Sequence, residues 1–200
     1  LLVRQLDDSM GLRQQQRNRL KSGATCAKTR SVLNRIIRCL DRQIKQLETH
    51  IKDHVRHNPE LTRIHDLLNP VTGITIDGIA HRTATRLMAE IQDIHLFTHR
   101  KQLAAYAGVC PRQLLSGSSV HGKSRLSKKG NSTVRSAIFF PAIVAKQHNP
   151  VIRAFAARLQ AAGKSPAAIT GAAMHKLLLI VYGVWSSGQP FDPAKAISYA

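Results

Sequence analysis

Acidic residues are scarce in this chain, and a whole half of it has none. Against 30 lysines and arginines stand 11 aspartates and glutamates, giving a formal net charge of +19 and a pI of about 11.0. No acid occurs between Ile94 and Phe191, a span that carries thirteen lysines and arginines. Carboxylate clusters of the two-metal nuclease type are therefore excluded from that span. A protein this basic is expected to meet a polyanion, most often nucleic acid. Aromatics make up only 4% of the residues, so the core must be aliphatic. Cys26, Cys39 and Cys110 form no C-x-x-C, which excludes a zinc signature and a disulfide framework and suits a reduced, cytoplasmic setting. Arg, Lys or His interrupts every apolar run before it reaches transmembrane length, so no membrane partner is expected. No stretch alternates convincingly as a strand, and there is no internal repeat. The chain opens at Leu1 without a methionine and reads as the trailing part of a longer protein.

What is present is helical periodicity. Leu1 to Leu20 is a polar, Gln- and Arg-rich helical pattern, interrupted by Gly11 and by Ser22–Thr25. A long helix follows, with Thr29 or Ser31 as its cap. Its apolar stripe is Leu33, Ile37, Leu40, Ile44, Leu47 and Ile51, in alternating steps of four and three. That is the 3.5-residue period of a coiled coil. Two readings fit: an arm that joins copies of the chain into a homo-oligomer, or one half of an intramolecular hairpin with Leu1–Leu20. His50 and His54 lie one turn apart on this helix but lack a third ligand, so no metal site is expected there. The acids of the first half fall on helix faces and read as solvated.

Beyond Leu61–Leu68, the segment Ile76-Asp77-Gly78-Ile79-Ala80 precedes a helix bearing Ala84, Leu87, Met88 and Ile91. Helix, tight glycine turn and helix resemble a helix-hairpin-helix element. Gly78 would let the backbone approach a phosphate, and the amides after Ala80 would face it. A plain packing corner gives the same pattern. A short helix over Leu96–Val109 should turn Leu103, Ala104 and Tyr106 inward. Asn131 or Ser132 should cap the next helix, with a kink at Pro141. Two more helices follow, over Val151–Ala162 and from Pro166 to about Trp185. The fold class is all-α: a coiled-coil arm over 1–60, then a compact helical domain over 61–195. Within that domain the helix-hairpin-helix-like element spans 67–92, a Ser/Gly/Lys-rich loop 111–131, and helices 132–187.

That loop concentrates the chemistry. Between Pro111 and Arg135 it holds serines, glycines, no acid, and the cations Arg112, Lys123, Arg125, Lys128, Lys129 and Arg135. Flexible backbone, hydroxyls and positive charge suit a phosphodiester. Cations near a serine can stabilise both the alkoxide and the charge of a phosphoryl transition state. Ser116 precedes Gly117, where the chain can turn sharply. Composition alone leaves open a loop that binds phosphate without catalysis, as a basic nucleic-acid-binding remnant would.

The series Gly78-Ile79-Ala80-x-x-Thr83-Ala84, Ala89-Glu90-Ile91-x-Asp93-Ile94-x-x-Phe97 and Leu103-Ala104-Ala105-Tyr106-Ala107-Gly108-x-x-Pro111 continues with Ser116-Gly117. It runs on through Ser127-Lys128-x-Gly130-Asn131-x-x-x-Arg135, His148-Asn149-Pro150, Gly163-Lys164 and Lys176-Leu177-Leu178. In order and spacing this resembles the C-terminal domain of the insertion-sequence one-ten family of transposases, over roughly Leu67 to Pro193. The resemblance implies a cut-and-reseal DNA recombinase whose nucleophile matches Ser116. It implies a separate RuvC-like domain carrying a carboxylate-bound magnesium, without which this portion would be inactive. It also implies a bridge RNA as guide and a nucleoid-associated setting. This chain differs from the family pattern at Asp77, Ala80, Pro141 and His175, and contains no RuvC-like carboxylates.

Overall fold

The computed structural model describes residues 1–22, 26–70, 75–112 and 125–194, together with the backbone of 115–116 and 120–121. Eight α-helices and one 3-10 turn account for most of the described residues, so the fold is all-α. By its contacts the chain divides into two compact units, Leu1–Thr62 and Arg63–Ala200.

The first unit is an antiparallel helical hairpin. Helix α1 (Leu2–Lys21) runs through Gly11 without a break, because a helical glycine costs only about 1 kcal/mol and the packing on either side outweighs it. Helix α2 (Ala27–Arg56) begins at Cys26, whose Sγ lies 3.2 Å from Thr29 Oγ1, and not at Thr29 or Ser31. Leu33, Ile37, Ile44 and Ile51 of the heptad stripe are buried. Leu6 of α1 packs with Ile44 and Ile51, flanked by Val3, Met10 and Leu47. The stripe thus finds a partner within its own chain, the second of the two readings. Arg13 Nη1 bonds Asp41 Oδ1 at 2.9 Å across the hairpin, with Arg17 at 3.8 Å from the same oxygen.

Helix α3 (Pro59–Leu68) is capped by Asn58 Oδ1, which accepts from Glu60 N–H and Leu61 N–H. In the second unit, α4 (His81–Ile91) packs on α6 (Ser132–His148). Ile94–Leu96 forms the 3-10 turn, and α5 (Arg100–Tyr106) starts only after His99 caps it. Leu96 is accordingly exposed, while Leu103 and Ala104 are fully buried as expected. Tyr106 lies partly outward at 38% exposure, since its hydroxyl is needed elsewhere. Asn131 caps α6, its Oδ1 accepting from Thr133 and Val134 N–H groups. That helix continues past Pro141 to His148. Asn149 likewise caps α7 (Pro150–Ala161), which has proline at its first position.

The 22-residue α8 (Pro166–Ser187) is long and apolar enough to cross a membrane by length and hydropathy, contrary to the sequence reading. Here its apolar character serves a core. It packs against α5, α6 and α7, and Leu177, Leu178 and Val181 are fully buried.

Candidate nucleic-acid interface at the hairpin

The Ser/Gly/Lys-rich stretch is not simply a loop. Strand β1 (Pro111–Arg112) pairs antiparallel with β4 (Arg125–Leu126), and β2 (Leu115–Ser116) with β3 (Val120–His121). No sequence alternation announced these strands, because each ladder is only two residues long. The ladder continues below β1: Ser127 N–H donates to Cys110 O at 2.9 Å and Lys128 N–H to Gly108 O at 3.0 Å. The register shifts by one residue between the two ladders, from Arg112↔Arg125 to Ser116↔Val120. Ser116 is therefore paired with Val120, four positions further on.

The base of the hairpin is clamped. Asn131 N–H donates to Tyr106 O at 2.6 Å. The Asn131 amide, Nδ2, donates to Glu90 Oε2 at 3.0 Å and to the Tyr106 hydroxyl at 2.9 Å, while that hydroxyl lies 3.3 Å from Glu90 O. Glu90 is 7% exposed, so this acid of α4 is buried and hydrogen-bonded, not solvated. Gly130, at φ +129, lies so close to the Tyr106 and Ala105 carbonyls that any side chain there would collide with them. Arg135 Nη1 donates to Ala107 O at 3.0 Å, which ties α6 to the end of α5. On the return arm, the Leu126 side chain sits 3.2 Å from where a Cβ on Gly171 would be, seating the hairpin on α8.

Of the cations singled out by sequence, Arg112, Arg125, Lys128 and Lys129 are exposed along this hairpin. Lys128 has a positive φ of 55°, a turn conformation, where the return arm leaves its ladder. Lys123 and the side chain of Ser116 lie outside the described atoms. Gly78 and Ala80 stand elsewhere, at the entry to α4. Gly78, at φ +98, faces the Pro141 carbonyl of α6, which a Cβ would strike. That close approach gives the glycine packing work. Ala80 is the N-cap of α4 and contributes no side-chain acceptor. Beside it, His65 Nε2 and His81 Nδ1 are 2.7 Å apart. Sequence reasoning missed Glu90 and Tyr106 as supports of the hairpin. Their neighbourhood to Asn131 spans 41 and 25 residues, and nothing local signals it. Among the described residues, no group of three or more His, Cys, Asp or Glu could hold a metal ion.

Residues 74–157 match the family model described as Transposase IS116/IS110/IS902 family. The chain is 34% identical over 181 residues to the pilin gene-inverting protein of Moraxella bovis, covering 90% of this chain and 55% of that protein. It is 33% identical over 98 residues to an IS110 insertion element protein of Streptomyces coelicolor, 49% of this chain and 24% of that one. A third similarity, 28% over 123 residues, is to the transposase for insertion sequence element IS1111A of Coxiella burnetii, 58% of this chain and 31% of that one. The chain spans about half the length of the Moraxella relative.

Proposed function

The chain carries a transposase domain of the IS116/IS110/IS902 family, and from that premise we propose that it acts in DNA rearrangement, with Ser116 as the nucleophile. The observation that carries this reading is backbone pairing. Ser116 pairs with Val120 in a hairpin whose base is clamped by Glu90, Tyr106 and Asn131 and whose flanks carry Arg112, Arg125, Lys128 and Lys129. In the proposed step, Ser116 Oγ attacks a phosphodiester phosphorus and forms an Oγ–P bond. The bond from phosphorus to one deoxyribose oxygen breaks, and that oxygen takes up the proton the serine lost. Rejoining is the reverse, with a DNA hydroxyl as attacking group. The hairpin cations stabilise the charge that grows on the phosphoryl oxygens. Gly78 and Arg135 are left to the scaffold.

Magnesium belongs to the proposal only as the resident of a RuvC-like domain. The described residues here offer no donor set that fits it, so no step is routed through it. A guide RNA and assembly into a homo-oligomer complete the proposal by family resemblance. The relatives support the coarse reading: one is named as a gene-inverting protein and another as a transposase.

The test is a reconstituted reaction of the full-length enzyme, RuvC-like domain included, with element-end DNA, guide RNA and magnesium, read on a denaturing gel for covalent protein–DNA adduct. Ser116→Ala should abolish the adduct with DNA binding retained. An undiminished adduct in that variant overturns the assignment. Binding without adduct even in the unaltered protein points to the non-catalytic alternative.

A further inference from the structure

A second feature of the helical domain lies apart from the hairpin. Between α5, α8 and the segment after Gly188 lies a cavity of about 590 Å³. That is within the usual range for small-molecule and nucleotide pockets. Arg100 and Lys176 line it together with Tyr182, Val184, Pro190 and Phe191, among others. Gly183 leaves a gap in the lining, since a Cβ there would meet nothing within 4 Å. The Tyr182 ring is fixed by its hydroxyl, which donates to Phe97 O at 2.9 Å.

The cationic lining comes from two helices, with Arg100 on α5 and Lys176 on α8. Lys176 of α8 is half-buried, and both Arg100 of α5 and Arg158 of α7 act on it electrostatically. Burial first, then those two guanidiniums, hold its ammonium below the ordinary lysine pKa. Arg158 is planted over the Phe155 ring at 5.5 Å. Asp192 also lines the cavity, but its Oδ1 is already accepting from Ala194 N–H at 2.9 Å. A cationic edge against aromatic and aliphatic walls matches a phosphate joined to a flat, largely apolar body. Proteins that hold single strands use the same pairing of basic groove and aromatic surface.

We propose that this cavity takes one unpaired nucleotide of a polynucleotide, its phosphate held by Arg100 and Lys176 and its base lodged against Tyr182 and Phe191. The site rests on the nucleic-acid reading above but not on Ser116. Its ligand is shared chemistry between a displaced DNA strand and a guide RNA, and the experiment separates them.

Binding of the full chain to single-stranded DNA, to RNA of the same sequence and to blunt duplex DNA is measured by fluorescence anisotropy across a salt series. Lys176→Gln should lower the slope of log K against log[salt] on single strands by about 0.7, one phosphate contact. Gly183→Leu fills the cavity without changing charge. It should weaken single-strand binding roughly tenfold, the stacking loss of one base, with duplex binding unchanged. The tighter of the DNA and RNA single strands names the source. Unchanged affinity and slope in Lys176→Gln overturn the phosphate contact, and equal losses for duplex and single strand in Gly183→Leu overturn the unpaired base. If Gly183→Leu melts early, 2-aminopurine placed in the single strand replaces it. Quenching that Lys176→Gln removes supports the site, and a probe that reports no change on binding overturns it. The adduct assay reads the nucleophile and these single-strand affinities read the cavity, so failure of the one and failure of the other are told apart.

Discussion

Arg112 and Arg125 stand directly opposite one another in the β1–β4 ladder, two exposed guanidiniums on a two-residue sheet. Like charges facing across strands weaken a hairpin. An arrangement that costs the free protein stability becomes favourable when a phosphate sits near both.

Arg125→Gln is therefore expected to act in opposite directions on folding and binding. The free protein's Tm should rise slightly, because the cross-strand repulsion is gone. Affinity for duplex DNA should fall, and the salt slope should drop by about 0.9, one phosphate contact. Thermal melts and anisotropy on the same samples check both halves. A lowered Tm with unchanged affinity would show that the pair serves the fold.

Asn131→Ala removes three things together: the cap of α6, the bond to buried Glu90 and the bond to Tyr106. Loss of a cap costs about 1 kcal/mol, and stranding a buried acceptor costs roughly 1–3 kcal/mol. A total of about 2–4 kcal/mol is expected in urea unfolding. Asn131→Asp should keep the cap yet suffer repulsion with Glu90, so it should rescue only part. Full rescue by aspartate would show that the Glu90 contact contributes nothing.

His175 provides a pH dependence. Burial, then Lys176 and Arg100, push its pKa below the ordinary 6.5. Above pH 6.5 the imidazole is neutral in folded and unfolded chains alike and contributes no slope. As the pH falls below 6.5, the unfolded chain takes up a proton that the folded chain resists, so stability is lost. His175→Gln should flatten the fall of Tm below pH 6.5 relative to the unaltered protein. Parallel Tm curves for the two proteins would mean that this histidine protonates equally in both states.

In the N-terminal hairpin, Ile44→Ala should cost about 2–4 kcal/mol, because Ile44 is 5% exposed and packs with Leu6 and Ile51. Asp41→Asn should cost no more than about 0.5 kcal/mol, since its partly exposed ion pair with Arg13 is screened. Denaturant titration of the two variants distinguishes packing from charge as the force that holds α1 to α2.

Much of the helical architecture was legible in local windows. Asn131 and Pro166 mark helix starts because caps act within three residues. The stripe on α2 was visible as a 3.5-residue period, but its occupant was not: the same stripe serves a second chain or a neighbouring helix equally well. Gly11 misled as a breaker, since packing on both sides outweighs the local penalty, whereas Pro141 lies inside a helix that runs to His148 as expected. Tyr106 was expected in the core. It sits at the edge because its hydroxyl joins Glu90 and Asn131.

By itself the sequence determined the helical class, the aliphatic core, the basic span without carboxylates and the serine with its family resemblance. Each of these depends on composition, on neighbours within a few turns, or on motifs in order. The tertiary structure alone decided that Ser116 lies in a paired strand, that Glu90 is buried against Asn131, and that Arg100 and Lys176 line one cavity. The last two rest on contacts between residues tens of positions apart. Their energies come from burial and charge brought together only when the chain closes, which no short window of sequence contains.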